Sequence, residues 1–279
     1  MIEQFIELLH YQFFLNSLFA AILASIACGI IGAYIVAKRM VFISGGITHA
    51  SFGGIGIAYF LGLNPVFGAA FFSVLAALGI EWVSMKSNVR EDSAIGILWS
   101  FGMAIGIIFI FITPGYAPNL MSYLFGSILT ISRTDLWMIG SLAALLAVIF
   151  TVFYYPILFV AYDEEYARSH KAPVNFIKYM MVSLVAITIV LNIRLVGIIL
   201  VISFLTIPQS TANIFTKRFN YIILLSIMFG IIGSIGGLLI SYFYNIPSGA
   251  TIIFVFVLVF VLAKLIKMSL VRKNINQQI

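Results

Sequence analysis

The stretch VFISGGITHASFGG, residues 41–54, joins two apolar segments of the chain and contains a single histidine, His49, where the second segment begins. The apolar run before it is closed by Lys38 and Arg39, and small residues dominate the segment after it. A histidine near hydrocarbon is unfavourable unless it has a partner or a function. Small residues allow neighbouring helices to approach closely. The stretch therefore predicts closely packed membrane helices that hold a polar side chain between them.

The apolar composition excludes an ordinary soluble protein. Of the 279 residues, 63% are hydrophobic and 9% are charged, which is typical of a polytopic membrane protein. Cys28 is the only cysteine, so the sequence excludes an intrachain disulfide and a cysteine-rich metal site. The formal charge of +6 does not require a nucleic-acid partner, and we expect none, because basic cytoplasmic loops produce it as well. We predict an all-α fold in one transmembrane domain, residues 1–279.

The apolar runs predict about nine transmembrane helices, because about 20 apolar residues cross the hydrocarbon core of a membrane. If the short second run enters and leaves the membrane on the same side, the basic loops no longer all fall on one side unless another segment crosses. Totals of eight and ten spans therefore stay open. We expect the segment 116–132 to enter the membrane only in part. The predicted spans cover residues 11–37, 49–63, 66–85, 93–112, 136–160, 176–192, 197–215, 221–244 and 251–266.

The distribution of Lys and Arg predicts the orientation. With nine crossings and the N-terminus outside, all but Arg133 and Arg194 of the 15 Lys and Arg residues fall on one side. Basic loops stay in the cytoplasm. We therefore expect a multi-pass protein of the inner (cytoplasmic) membrane, in contact with membrane lipid, whose C-terminus is cytoplasmic.

A strongly polar stretch, YDEEYARSHK at residues 162–171, falls on the predicted cytoplasmic side. It is either a solvated turn or a short amphipathic helix that docks on a partner, within a segment of about residues 161–175. Acidic residues in the first turn stabilise a helix, which favours the second interpretation, but residue physics alone leaves both open. The docking residues in that interpretation are Asp163, Glu164, Glu165, Ala167 and Arg168.

Several stretches, spread in order over almost the whole chain, carry a resemblance to a known family. They are GAYIVAKRMVFISGGITHASFGGIGIAYFLG (32–62), EDSAIGILWSFGMAIGI (91–107), YLFGSILTIS (123–132), AYDEEYA (161–167), VGIILVISFLTIPQSTA (196–212) and YNIPSGATI (244–252). With these motifs the chain resembles the membrane permease subunits of ABC transporters that import zinc, manganese or iron.

The resemblance implies the partners and the substrate. Two permease copies pair, each couples to a cytoplasmic ATPase subunit through the segment 161–167, and an extracytoplasmic metal-binding protein delivers the ion. The divalent metal ion is the transported substrate, and we expect no permanently bound cofactor. The sequence itself contains no GxxxxGK[ST] motif, so we expect ATP hydrolysis in a separate subunit and no enzymatic activity here.

His49 is the main candidate for contact with the ion. It either bonds a backbone carbonyl between helices or contacts the ion in passing, and the resemblance implies a coordinating histidine here. Many family members have Asp one helical turn earlier, where this chain has Gly45, and Asn245 replaces a second family acid. One imidazole does not determine the ion.

Three further residues are candidates for the pathway. Thr48 and Ser51 either offer oxygen ligands or bond helix carbonyls. Pro208 interrupts the predicted seventh span, and it marks either a broken helix near the substrate path or a packed kink.

Two other classes of membrane protein are weaker alternatives. A gradient-driven secondary transporter or channel without ATPase partners commonly carries several intramembrane charges, and this chain has almost none. An intramembrane enzyme needs a catalytic set such as HExxH, which the sequence lacks.

The charge count leads to a testable topology. In a Cys28→Ser background, Arg168→Cys should resist an impermeant thiol reagent applied to intact cells, because the loop around it is cytoplasmic. The same variant should label after the membrane is permeabilised. Strong labelling in intact cells would contradict the orientation.

Overall fold

The computed structural model describes residues 10–86, 90–114 and 131–276, and within these ranges the regular structure is entirely helical. The segment 116–132 lies outside the described residues except for its last two. In chain order the helices are α1 (Gln12–Ala37), α2 (Val41–Phe60), α3 (Pro65–Lys86), α4 (Glu91–Ile112), α5 (Arg133–Val152), α6 (Tyr154–Tyr162), α7 (Glu164–Ser169), α8 (Val174–Phe204), α9 (Ile207–Phe215), α10 (Phe219–Tyr244) and α11 (Ser248–Asn276).

Nine helical segments in the described ranges are long and apolar enough to cross a membrane, which confirms the preferred count. Two of them, Val174–Ile193 and Leu195–Phe215, come from α8 and α9 together. α8 is interrupted at Gly197, whose φ of 80° and ψ of 165° are not helical. Glycine tolerates this backbone conformation because it has no Cβ.

The start of the second span differs from the prediction. α2 begins at Val41, so residues 41–54 lie inside a helix and His49 lies near its middle. α1 ends in a tight turn in which the Met40 N–H donates to the Ile35 carbonyl over 2.8 Å. Glycines lower helix propensity, which made the stretch resemble a connection, but packing against neighbouring helices outweighs that propensity.

α2 packs closely against α3 and α4, and it is the most enclosed of the nine spans. Small residues meet at both contacts: Gly54 lies against Gly68 of α3, and Gly56 lies against Gly106 of α4. The backbones approach so closely that a Cβ on either α2 glycine would overlap the facing carbonyl. This confirms that the small residues of α2 serve close helix packing.

The predicted interruption near Pro208 is also present. α8 ends at Phe204, α9 begins at Ile207, and Pro208 occupies the first turn of α9, where its missing N–H is tolerated. The Gln209 amide stabilises the break by donating to the Phe204 carbonyl over 3.1 Å and to the Cys28 carbonyl of α1 over 2.8 Å. The hydrogen bond to Cys28 therefore links the region between α8 and α9 to α1.

The predicted fifth span, 136–160, consists of two helices. α5 ends at Val152, Phe153 leaves the helical conformation, and α6 continues to Tyr162. The short helix α7 follows directly, so the polar loop predicted from the sequence contains a helix of its own. Gly237 of α10 lies against Ile252 of α11, a close contact of the kind that small residues allow.

The packing of α2 can be tested at Gly102 of α4. A Cβ at this position would lie 2.6 Å from the Ala50 Cα, so Gly102→Val should reduce the free energy of unfolding by about 1–3 kcal/mol through overpacking. Thermal unfolding in detergent measures the effect. Gly96→Ala on the same helix is the control, because a Cβ there meets nothing within 4 Å. Equal stability of both variants would contradict the close contact.

Candidate functional site

His49 lies half-buried on α2, and its imidazole stacks on the indole of Trp99 from α4. The ring centroids are 4.1 Å apart and the ring planes differ by 6°. The stack covers one face of the imidazole and restricts its orientation. Sequence reasoning missed Trp99, because no local spacing relates it to His49. The one available signal was a tryptophan inside the family-like segment 91–107 of another helix.

The Nδ1 atom of His49 is buried and has no hydrogen-bond partner in the described part of the chain. A buried polar atom without a partner is unfavourable by about 1–3 kcal/mol. The first interpretation of His49 requires a bond to a backbone carbonyl, and Nδ1 does not make one. The atom is thus left unpaired in its buried position.

Thr48 and Ser51 are fully buried, and both hydroxyls donate within their own helix. The Thr48 hydroxyl donates to the Ser44 carbonyl and the Ser51 hydroxyl donates to the Thr48 carbonyl, each over 2.6 Å. This geometry corresponds to the interpretation in which both residues bond helix carbonyls. The same geometry leaves His49 as the pathway candidate with an unused polar atom.

The position one turn before His49 is open. A Cβ at Gly45 would meet no neighbouring atom within 4 Å, so a larger side chain fits there. Residues four apart on a helix share a face, which places such a side chain beside the imidazole. No group of three or more His, Cys, Asp or Glu residues that could hold a metal occurs in the described ranges. In these ranges His49 therefore belongs to no such group.

Asn245, the other replacement for a family acid, ends α10. Its φ of 52° and ψ of 45° are left-handed, and its backbone N–H donates to the Ser241 carbonyl. Asparagine is one of the few residues other than glycine that adopt this conformation readily. The residue is exposed and acts as the C-cap of the helix.

A row of aromatic rings leads from His49 to a cavity near the start of α2. Trp99 stacks on His49, and the ring of Phe42 lies tilted to that of Trp99 with a centroid separation of 6.4 Å. Phe42 also lines the cavity, whose volume is about 420 Å³. The lining residues are Arg39, Phe42, Ile43, Arg90, Asp92 and Ile95.

Charged groups at the cavity form an ion pair. Arg90 donates to both carboxylate oxygens of Asp92, over 3.2 Å from Nε and 3.0 Å from Nη2. Both side chains are more than half exposed, so the pair is screened by water and contributes little to stability. The cavity thus offers a carboxylate that is accessible from solvent.

Pro208 belongs to another part of the bundle. α9, which carries it, packs mainly on α10, α11 and α1, whereas α2 packs mainly on α4 and α3. The two predicted pathway residues Pro208 and His49 therefore lie on helices with different principal neighbours.

The structure divides the five predicted docking residues of α7 into two groups. The Asp163 side chain caps α7 by accepting from the Tyr166 N–H over 2.9 Å, and Glu165 and Arg168 are exposed. Ala167 is fully buried, and Glu164 points into the protein. A partner that contacts α7 therefore meets Glu165 and Arg168.

Glu164 forms ion pairs with two lysines of the transmembrane bundle. Its Oε1 lies 2.5 Å from Lys38 Nζ and 3.3 Å from Lys178 Nζ. Burial would raise the pKa of Glu164, but the hydrogen bond from Lys38 and the charges of both lysines outweigh it and hold the pKa below its ordinary value. The carboxylate is therefore charged at neutral pH.

Glu81 of α3 forms an ion pair with Lys178 of α8. Its Oε1 lies 2.8 Å from Lys178 Nζ, and both side chains are largely buried. Lys178 thus binds two carboxylates, one from α3 and one from α7.

Comparison with known proteins identifies the family. Residues 10–267 match the ABC 3 transport family. The chain is 42% identical over 255 residues to an uncharacterised membrane protein of Synechocystis, with 91% of each chain covered. It is 38% identical over 259 residues to a manganese transport system membrane protein of Halalkalibacterium halodurans, with 93% of this chain and 89% of the relative covered.

A solved structure has the same architecture. The structure of PsaBC from Streptococcus pneumoniae in complex with Fab matches with a TM-score of 0.85 and 32% sequence identity, covering 94% of this chain and 95% of the other. Because the family match spans almost the whole chain, the protein belongs to the ABC 3 transport family.

Proposed function

We propose that the chain is the transmembrane permease subunit of an ATP-binding-cassette importer that moves a divalent metal ion across the cytoplasmic membrane. The family match over residues 10–267, on a bundle with nine candidate spans, carries this proposal. Manganese is the first candidate ion, since a relative with 38% identity is a manganese transport system membrane protein. Zinc and iron are the competing ions in the test.

His49 is the residue that we assign to contact with the ion. Its unpartnered Nδ1 supports this role, because an imidazole nitrogen is a common metal ligand. A transport site must bind weakly enough to release its ion, and one imidazole meets that condition. Trp99 orients the ring, while Thr48 and Ser51 line α2 beside it.

Three protein partners complete the proposed transporter. A cytoplasmic ATPase subunit docks on the exposed residues Glu165 and Arg168, within the segment 161–175. A second permease copy forms the other half of the pathway, and an extracytoplasmic metal-binding protein delivers the ion. In this arrangement the N-terminus is outside, the C-terminus is in the cytoplasm, and residues 1–279 form one domain.

Reconstitution tests the function directly. The chain is co-purified with a candidate ATPase subunit and inserted into liposomes together with the extracytoplasmic metal-binding protein, and ATP hydrolysis and ion uptake are measured with Mn²⁺, Zn²⁺ and Fe²⁺. We expect ATP-dependent uptake of Mn²⁺ above the other ions. Uptake that continues without the ATPase would favour a gradient-driven transporter and contradict the proposal.

The role of His49 is tested by His49→Ala. Removing the ligand should reduce Mn²⁺ uptake by about 10- to 100-fold, the range found when groups around a metal are removed. Assembly with the ATPase and thermal stability should stay near those of the unchanged protein. His10→Ala is the control histidine. Loss of folding in His49→Ala would assign a structural role to His49, and normal uptake would exclude it from the pathway.

A carboxylate can be added beside His49. Gly45→Asp has room for its side chain and should tighten Mn²⁺ binding or change the preferred ion, because carboxylate oxygens suit manganese. Competition uptake with Mn²⁺ and Zn²⁺ measures the preference. Gly45→Asn is the matched control, since it has nearly the same shape without the charge. Identical preferences in both variants would contradict a shared ion.

A further inference from the structure

Four side chains form a continuous series of ion pairs at one end of the bundle. Glu81 of α3 binds Lys178 of α8 over 2.8 Å, Lys178 binds Glu164 of α7 over 3.3 Å, and Glu164 binds Lys38 at the end of α1 over 2.5 Å. We call these four residues the charge bridge. It joins α7 to three transmembrane helices.

Stability alone does not explain the charge bridge. The exposed fractions of its side chains lie between 10% and 29%, so all four charges are largely removed from water. Desolvation offsets much of the attraction in such pairs, and apolar side chains of similar volume commonly hold helices together as well. A buried pair that adds little to stability can instead specify one arrangement of the elements it joins.

Lys38 connects the charge bridge to α2 through a short, hydrogen-bonded turn. It is the C-cap of α1, and only Arg39 and Met40 separate it from the first residue of α2. Two backbone hydrogen bonds close this turn: Arg39 N–H to the Val36 carbonyl over 3.2 Å, and Met40 N–H to the Ile35 carbonyl over 2.8 Å. A displacement of Lys38 therefore moves the start of α2.

α2 transmits such a displacement toward the ion path. Phe42 lies in its first turn, and His49 lies about 10 Å farther along the helix, at about 1.5 Å per residue. At the other end of the charge bridge, Glu81 belongs to α3, which packs against α2. The charge bridge is thus connected to α2 in two ways, through Lys38 just before its first residue and through the neighbouring helix α3.

Lys38 also binds α6, the helix that leads into α7. Its Nζ donates to the Val160 carbonyl over 3.1 Å in addition to Glu164. The lysine therefore contacts two consecutive helices, α6 and α7, and a movement of either helix changes its contacts.

We propose that the charge bridge transmits the movement of α7 to α2, so that Lys38 and Glu164 are positioning residues that couple ATP hydrolysis to ion release at His49. This inference rests on the proposed function, because it requires an ATPase docked on α7. Glu164 is then not a docking residue, although it lies in the docking segment. Its neighbours Glu165 and Arg168 take that role.

The experiment replaces charge while it preserves packing. The double variant Lys38→Met with Glu164→Leu is compared with Lys38→Arg, which keeps the charge, and with Lys217→Met, which removes an exposed lysine elsewhere. Each permease is reconstituted with its ATPase in liposomes. The measured quantities are the thermal midpoint, the rate of ATP hydrolysis and the number of Mn²⁺ ions transported per ATP.

The transport ratio distinguishes coupling from folding. We expect the double variant to fold and hydrolyse ATP but to transport about two- to thirtyfold fewer ions per ATP, the range that networks between sites produce. Lys38→Arg and Lys217→Met should keep the original ratio. An unchanged ratio in the double variant overturns the inference, and so does its failure to fold, because the charges then serve only the fold.

The unchanged protein separates this inference from the proposed function. If the wild-type complex transports no metal ion, the proposed function fails before any variant is compared. If the wild type transports Mn²⁺ and the double variant keeps its ratio, the charge bridge alone is rejected.

Discussion

The close contact of α2 with α3 and α4 is the constraint on which the other features depend. In lipid, helices gain little from hydrophobic attraction to one another, so close packing of small residues must hold them together. Gly54 and Gly56 bring the backbone of α2 against glycines of both neighbours. That approach fixes the rotation of α2, and the rotation decides which side chains point at α4. The stack of His49 on Trp99 is a consequence of it.

The site built on this contact suits transport better than storage. A closed metal site surrounds its ion with several ligands, whereas α2 offers one imidazole with an unused nitrogen. The Thr48 and Ser51 hydroxyls donate to carbonyls of their own helix.

The arrangement of charged residues in the described ranges fits a transporter that is not driven by an ion gradient through its own transmembrane helices. Glu81 and Lys178 neutralise each other, and Glu164 is held between two lysines. A proton- or sodium-driven transporter places its ionisable groups where the coupling ion reaches them. Here the ionisable groups pair with one another and join helices at one end of the bundle. Through Glu164, α7 is attached to the transmembrane helices while its other side remains exposed.

The sequence by itself determined the membrane class, nine candidate spans and the small-residue packing, because hydropathy and glycine spacing are local properties. It also indicated the break near Pro208. Only the tertiary structure decided the start of α2, the partner Trp99 and the inward direction of Glu164. These depend on how each helix is rotated against its neighbours. Each residue turns a helix by about 100°, so a shift of one position changes every contact.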